Sequence, residues 1–334
     1  MAAEPESDAN YQMNQQPSKD DDSVPVTWEN FPRAQLHKEM ETFAEWGGFS
    51  EFYHFRTLIP LDKQVETLPN RDTLYSIGVF DLTEPVTITK PDTGDRYQSM
   101  IVLNEDQYVK MFEYGPGEYT LTQDEIGTRY AAVLVRTFVD PNDPDDVETA
   151  HGLQDGLTVS QGSVGTLEIP NWDSQSRDEL FDAIVTIGKT MDDFRGACGD
   201  VDEVHPVKFL LQSVTTFGFP ESEALYVPRI PDQNDGETPH ILTVEDVPVN
   251  GFWSITVYNS DWYLEENEYD AYVVNNVTAE QADDGSVMVH FGGDPDQPNF
   301  IYTPEEWNYV IRLYQPHEEI IDGSYQFPES QPVE

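Results

Sequence analysis

The sequence predicts a mainly β protein in which two β domains are joined by a helical connector. Short apolar runs, many alternating with period two, fill residues 52–170 and return after residue 220. Between them, residues 171–218 change to helical spacing. The chain contains 21 glycines and 24 prolines, and these residues separate the apolar runs as turns do in antiparallel sheets.

The length of 334 residues favours two domains over a single hydrophobic core. The first residues are polar and acidic, which is typical of a flexible tail. The expected organisation is a disordered acidic tail at 1–25, a β domain at 26–170, a helical connector at 171–219 and a second β domain at 220–334.

Two helical regions are predicted from apolar spacing. In residues 32–46, an amphipathic helix is expected from Leu36, Met40 and Phe43, with Gly47 at its end. In the connector, the pair Ser176 and Glu179 has capping-box spacing. An apolar stripe follows it, made of Leu180, Ile184, Ile187, Met191 and Phe194. A second connector helix is expected to begin at Pro206.

The composition is strongly acidic, with 64 Asp and Glu against 17 Lys and Arg and a formal net charge of −47. Such a chain repels nucleic acid and anionic membranes, because phosphate binding needs clustered basic side chains. It also repels itself in dilute salt, whereas molar salt shortens the Debye length to about 3 Å. The acids are spread through nearly every loop, so the sequence predicts adaptation to a salty cytoplasm.

The sequence shows no secretion signal, no apolar run of membrane-spanning length and one cysteine, Cys198. A soluble cytoplasmic protein without an intrachain disulfide is therefore expected. The seven histidines show no metal-ligand spacing, and no cofactor motif is recognisable, so neither a metal nor a cofactor is predicted. The acidic loop at 140–146 lacks the spacing of a calcium loop and is interpreted as solvated. A nucleophilic pairing of Cys198 with His205 is a weaker alternative.

Two predicted strands in the second half have one apolar and one partly polar face. The polar face carries Ser254, Thr256 and Tyr258 from one strand and Arg312 and Tyr314 from the other. This face is interpreted either as the lining of a ligand cleft or as an ordinary solvated sheet surface. Arg312 either forms an internal ion pair with a carboxylate, which is the favoured interpretation, or binds an anionic ligand through its planar guanidinium.

The stretch "PNRDTLYSIGVFDL", residues 69–82, places Asn70, Arg71 and Asp72 directly before an apolar strand. Asn and Asp beside a proline are typical of a turn. Physical reasoning favours a structural corner in which Arg71 pairs with Asp72, and a pocket wall is the alternative.

The same stretch, with "PDTGDRY" after it, resembles the domain of unknown function 1254 family. "GFWSITVYNSDWY" and "EEWNYVIRLYQPHEE" resemble the domain of unknown function 1214. The two occur in tandem, so the resemblance implies an immunoglobulin-like β sandwich followed by a jelly-roll β sandwich. It implies no reaction and no catalytic residues.

Three functions are consistent with these features. The first is binding of a small polar or anionic ligand, for which the candidate residues are Asn70, Arg71, Asp72, Tyr75, Trp253, Tyr258, Arg312 and Tyr314. The second is an enzyme, such as a hydrolase, that acts on a small organic substrate through the carboxylates near residues 70–72. The third is a structural role through homo-oligomers. Whether catalysis occurs stays open at this point.

Overall fold

The computed structural model describes residues 22–64, 68–191 and 193–333 and shows a mainly β protein, as the sequence predicts. Most of its strands pair in antiparallel sheets. Its helices are α1 Phe31–Glu45, α2 Gln123–Ile126, α3 Pro144–Asp155, α4 Ser174–Gly188, α5 Pro206–Gln212 and α6 Glu318–Ile321. No helix in the described part of the chain is long and apolar enough to cross a membrane.

The N-terminal β domain contains two sheets. Its strands are β1 Tyr53–His54, β2 Thr73–Asp81, β3 Val86–Lys90, β4 Gln98–Asn104, β5 Val109–Glu113, β6 Gly117–Leu121, β7 Tyr130–Phe138 and β8 Thr158–Gln161. A five-stranded sheet has the order β1-β2-β7-β4-β5, and a three-stranded sheet has the order β6-β3-β8. Side chains from β2, β4 and β7 meet side chains from β3 and β6 in an apolar core between the sheets.

The C-terminal β domain contains two four-stranded sheets. Its strands are β9 Ala224–Arg229, β10 His240–Val244, β11 Trp253–Tyr258, β12 Val273–Asn275, β13 Val287–Phe291, β14 Phe300–Ile301, β15 Asn308–Tyr314 and β16 Gln331–Pro332. One sheet has the order β12-β11-β15-β9 and the other β14-β13-β10-β16. The apolar faces of the two sheets form the core of this domain, with Trp307 among the most buried side chains.

The first predicted helix is confirmed, since α1 buries Leu36, Met40 and Phe43 against the five-stranded sheet. The tail prediction falls mainly on residues 1–21, which lie outside the described residues. Contacts begin at Val24, whose N–H donates to the carbonyl oxygen of Asn171 at 2.7 Å. The first described residues are therefore attached to the connector.

The connector helices exist, but two details of the prediction are wrong. The N-cap of α4 is Asp173, whose carboxylate accepts the N–H of Ser176 at 2.8 Å, so Ser176 is inside the helix. Its hydroxyl instead accepts the N–H of Val26. The expected apolar stripe is not a core stripe, because α4 buries only Ile184 and leaves Ile187 54% exposed.

The interpretation of the acidic segment at 140–146 as a solvated loop is also corrected, because its last three residues belong to helix α3. Asp143 caps α3 by accepting the N–H of Asp145, and Pro144 occupies the first turn. Asp146 forms an ion pair with Arg96. Acidic side chains in a first turn are favoured by the helix dipole, so the segment has a structural explanation.

The two β domains pack through an apolar cluster that both of them supply. Ile77, Ile101 and Leu134 come from the N-terminal five-stranded sheet, and Phe252 and Tyr314 come from the C-terminal domain. The ring of Phe252 stacks on that of Tyr314, with 4.2 Å between centroids. The partly polar face of β11 and β15 is consequently turned toward the N-terminal domain.

Candidate functional site

The polar face of the C-terminal sheet is buried between the domains, so its interpretation as a solvated surface is wrong. Ser254, Thr256 and Tyr258 are each 0% exposed, and Arg312 is 3% exposed. Register places Asn275, Ser254 and Arg312 side by side across β12, β11 and β15. The face therefore presents a row of polar side chains to the N-terminal domain.

The segment before β2 enters this face from the N-terminal domain. The side-chain oxygen of Asn70 accepts the N–H groups of Asp72 and Thr73 at 2.7 and 3.2 Å, which forms the expected turn. Its amide nitrogen donates to the hydroxyl of Tyr314 at 2.7 Å. Asn70 thus shapes the turn and joins it to the other domain.

Asp72 reaches across the interface instead of pairing with Arg71. Its carboxylate accepts the Ser254 hydroxyl at 2.7 Å and the Asn275 amide at 3.3 Å. Burial raises the pKa of Asp72, while Arg312 and these two hydrogen bonds oppose the rise. Both carboxylate oxygens are occupied by side chains of the C-terminal domain.

Arg312 makes hydrogen bonds to neutral oxygens, and no ion pair involves it within the described residues. It donates to the Thr256 hydroxyl at 2.8 Å, to the Leu68 carbonyl at 2.9 Å and to the Tyr258 hydroxyl at 2.5 Å. Burial disfavours its charge, yet Tyr258, Tyr314 and Asp72 hold its pKa above the usual value. The favoured interpretation of a direct ion pair is therefore wrong, and Asp72 acts on Arg312 only from a longer distance.

Arg71 lies at the edge of this network and is half-buried. Its guanidinium carbon is 5.0 Å from the centroid of the Tyr272 ring, a cation–π distance. Its hydrogen bond to the Ile59 carbonyl is long, at 3.5 Å. Burial lowers its pKa, and no ion pair involves it in the part of the chain that the structure describes.

Of the other candidates, the structure adds Tyr258 and Tyr314 to the network and separates Trp253 from it. The Tyr258 hydroxyl donates to the carbonyl of Pro69 at 2.9 Å. Trp253 points to the opposite face of β11 and packs on Phe327 in the core of the C-terminal domain. Tyr75 lies on β2, beside a second buried arginine.

That second arginine, Arg136 on β7, was missed by sequence reasoning. Register places it between Tyr75 on β2 and Ser99 on β4, on the face that meets the C-terminal domain. It is 9% exposed, and its guanidinium carbon lies 5.2 Å from the Tyr75 centroid and 4.1 Å from that of Phe219. A lone arginine within the apolar run "AAVLVRTFV" is the same signal that identified Arg312.

Arg136 is held with few polar partners. Its Nη2 donates a long hydrogen bond of 3.5 Å to the Phe217 carbonyl, and Tyr226 lies close enough to accept a side-chain hydrogen bond from its guanidinium. Its Nε has no hydrogen-bond partner among the described residues. Burial disfavours its charge, while Tyr75, Tyr226, Tyr314 and Tyr97 leave its pKa raised, so it remains a cation. Because tyrosines are neutral at pH 7, these rings do not balance that charge.

Two further buried polar atoms near Arg136 also lack hydrogen bonds. They are the hydroxyl oxygens of Tyr97 and Ser99. Burial raises the pKa of Tyr97, and Ser99 and Arg136 moderate the rise, which places all three groups in one neighbourhood. Ser99 influences Tyr97, but the two hydroxyls do not meet hydrogen-bond geometry. Unpaired buried polar atoms are uncommon in folded proteins, so three of them in one neighbourhood require an explanation.

The alternative nucleophile, Cys198, is not prepared for catalysis. Burial raises the pKa of its thiol to about 12, so it stays protonated at neutral pH. His205 is the N-cap residue of α5, where its Nδ1 accepts the N–H of Lys208 at 3.5 Å. Among the described residues, no group of three or more His, Cys, Asp or Glu side chains has an arrangement that fits a metal ion.

Fold and site together define a two-domain β protein with a buried, arginine-containing interface. Residues 49–161 match the family described as Protein of unknown function (DUF1254), and residues 223–318 match Protein of unknown function (DUF1214). The chain therefore belongs to the family that carries these two domains in tandem. No curated protein matches it.

Two solved structures share the fold. The VPA0106 protein from Vibrio parahaemolyticus is 16% identical, with a TM-score of 0.68 over 91% of this chain and 98% of that chain. An uncharacterised protein from Burkholderia cenocepacia is 15% identical, with a TM-score of 0.53 over 91% of this chain and 88% of that one. At these identities the similarity concerns the fold alone.

Proposed function

We propose that the protein binds a small anionic molecule between its two β domains, at Arg136. The observation that supports this is a buried guanidinium that has no ion pair within the described residues and an Nε without a hydrogen bond. Burying an ionised side chain without a charged partner costs roughly several kcal/mol of desolvation free energy. A bound anion removes that cost and supplies the missing hydrogen-bond acceptors.

The charges around the interface support the same proposal. Two arginines, Arg136 and Arg312, face the interface, and Asp72 is hydrogen-bonded within it. A second carboxylate, Glu223, accepts the Tyr114 hydroxyl across the domains at 2.7 Å but forms no ion pair with either arginine among the described residues. Asp72 balances at most one of the two cations. The net charge of −47 on the chain does not neutralise the remaining positive charge at the interface, because exposed charges are screened by solvent and salt.

The structure offers less support for an enzyme that uses Asp72. A general acid or base must reach the substrate. Asp72 is 0% exposed, and both of its oxygens accept hydrogen bonds from the C-terminal domain. Its geometry joins two domains, so we restrict the proposal to binding.

A thermal-shift experiment tests the proposal. The full chain, exchanged into buffer free of small organic acids, is heated with a panel of small anions at constant KCl. Arg136→Gln removes the proposed contact, and Arg177→Gln, which breaks an ion pair with the exposed Asp178 on α4, removes the same charge elsewhere. We expect at least one anion to raise the melting temperature of wild type and Arg177→Gln but not of Arg136→Gln. Equal shifts in all three proteins, or none in wild type, contradict it.

We also propose adaptation to concentrated salt inside the cell. The support is compositional: 64 acidic residues stand against 17 basic ones. Acidic side chains dispersed over all regions make folding depend on screening. The salt dependence of unfolding tests this proposal.

A further inference from the structure

The chemical class of the anion can be inferred from the way Arg136 is enclosed. The rings of Tyr75 and Phe219 lie within cation–π distance of its guanidinium carbon. The unpartnered Nε lies on the edge of the guanidinium plane. A planar carboxylate accepts two parallel N–H bonds along such an edge, which is the strongest geometry for this pair.

The neighbouring hydroxyls fit the same ligand. Ser99 is the register partner of Arg136 on β4 and is 1% exposed. Among the described residues its hydroxyl and that of Tyr97 make no hydrogen bond of full geometry, although Ser99 and Tyr114 both lie close enough to Tyr97 to affect its pKa. Each can donate one hydrogen bond, and an ionised carboxylate offers about four acceptor positions. The free donors near Arg136 therefore match the capacity of one carboxylate group.

Arg312 does not offer a second anion site. Its donors are directed at Thr256, Tyr258 and the Leu68 carbonyl. A tetrahedral dianion such as phosphate needs more cationic donors than the one free guanidinium supplies. The surroundings are mainly aromatic, with half-buried rings of Tyr75, Tyr97 and Tyr226 in the interdomain cluster. These walls suit a short apolar body on the ligand.

Resting on the proposed function, we infer that the anion is a compact carboxylate, held by Arg136 Nε and the hydroxyls of Ser99 and Tyr97. Residues of both domains surround the site.

Calorimetric titration tests this inference. The full chain at constant KCl is titrated with acetate, propionate, lactate and benzoate, and separately with inorganic phosphate, sulfate and bromide. We expect saturable binding of at least one carboxylate and none of phosphate, sulfate or bromide. Ser99→Ala and Tyr97→Phe are each expected to weaken that carboxylate by roughly 3- to 30-fold, the loss of one buried hydrogen bond. Ser174→Ala, at an exposed residue of α4, is the control and leaves affinity unchanged.

The outcomes separate the two proposals. Binding of phosphate, sulfate or bromide that needs Arg136, without carboxylate binding, overturns the carboxylate class and leaves the anion site intact. Carboxylate binding that is equally strong in Ser99→Ala, Tyr97→Phe and wild type overturns the assignment of those hydroxyls. No binding of any anion overturns the proposed function as well. Circular dichroism of each variant verifies folding, and the conservative Tyr97→Phe keeps the aromatic packing.

Discussion

Arg136 and Arg312 are both buried arginines at one interface, but their surroundings predict opposite responses to the same substitution. Arg312 donates three hydrogen bonds to Thr256, Tyr258 and the Leu68 carbonyl. Arg136 has one long hydrogen bond and an unpartnered Nε. The folded protein therefore compensates the burial of the Arg312 guanidinium with hydrogen bonds, whereas it compensates that of Arg136 only in part.

Replacing each arginine with methionine measures that difference in ligand-free protein. Arg136→Met removes an uncompensated buried charge and is expected to raise the free energy of unfolding by about 1–2 kcal/mol. Arg312→Met leaves buried acceptors unpaired and leaves Asp72 with only the more weakly acting Arg71 as a neighbouring cation. It is expected to lower the free energy of unfolding by roughly 2–4 kcal/mol. Denaturant unfolding at high KCl gives both values. If the two substitutions destabilise equally, the protein itself already balances the charge of Arg136.

Asp72 predicts a particular dependence of stability on pH. Burial raises its folded pKa above the ordinary value of 3.8, so its protonated form is favoured by folding. This contribution is fully present below pH 3.8 and is lost as pH rises through the folded pKa. Relative to Asp72→Asn, wild type should therefore become less stable as pH rises above about 4.

The control for this prediction has the opposite sign. Asp155 has a lowered pKa because Arg56 donates a hydrogen bond to it. Its contribution is present above the unfolded pKa and is lost as pH falls. Relative to Asp155→Asn, wild type should therefore gain stability as pH rises. Chemical denaturation of the three proteins from acidic to neutral pH compares the slopes. If the difference in free energy of unfolding between wild type and Asp72→Asn does not vary with pH, the raised pKa of Asp72 is contradicted.

Among the elements, the strands were predictable and some helix details were not. The alternation in "GFWSITVYNS" and "NYVIRLYQP" identifies β11 and β15, because successive side chains of a strand point to opposite faces. Helix α3 was missed because its acidic start resembles a solvated loop. Its signals were present in the sequence, since an aspartate at the N-cap and a proline in the first turn are typical of a helix start.

The start of α4 gives a prediction at this scale. Asp173 accepts the Ser176 N–H as a cap, whereas the Glu179 side chain accepts from Gln175 on the exposed surface. Asp173→Ala is expected to cost about 1 kcal/mol. Glu179→Ala is expected to cost less than about 0.5 kcal/mol, as surface substitutions do. Hydrogen exchange of the α4 amides, with urea unfolding, measures both. If the two substitutions reduced the free energy of unfolding equally, Asp173 would not be the main cap, and the capping box of Ser176 and Glu179 would be supported instead.

In the whole molecule, the contact between the domains was the part that sequence reasoning could not reach. A strand with alternating polar residues has the same pattern whether its polar face meets water or another domain. Ser254 and Thr256 are buried because loop 68–72 and the N-terminal sheet cover them. The alternation of side chains along a strand does not predict such a contact with a distant segment of the chain. The resemblance to the tandem family predicted both domains, and the structure adds what lies between them.

The net charge of −47 gives the prediction at the scale of the whole chain. Exposed carboxylates repel one another more in the compact state than in the unfolded chain, and salt screens that repulsion. The melting temperature should therefore rise from dilute to concentrated KCl.

The matched control is a triple variant, Glu84→Gln, Asp202→Asn and Asp283→Asn, which removes three charges from exposed positions. Because each amide has nearly the size of the acid it replaces, the main change is the self-repulsion of the surface. The variant should melt at a higher temperature than wild type in dilute KCl and at a similar temperature in concentrated KCl, where both proteins are screened. Melting temperatures of wild type that do not depend on KCl would mean that its acidic residues are balanced locally, and the proposed adaptation to salt would then be wrong.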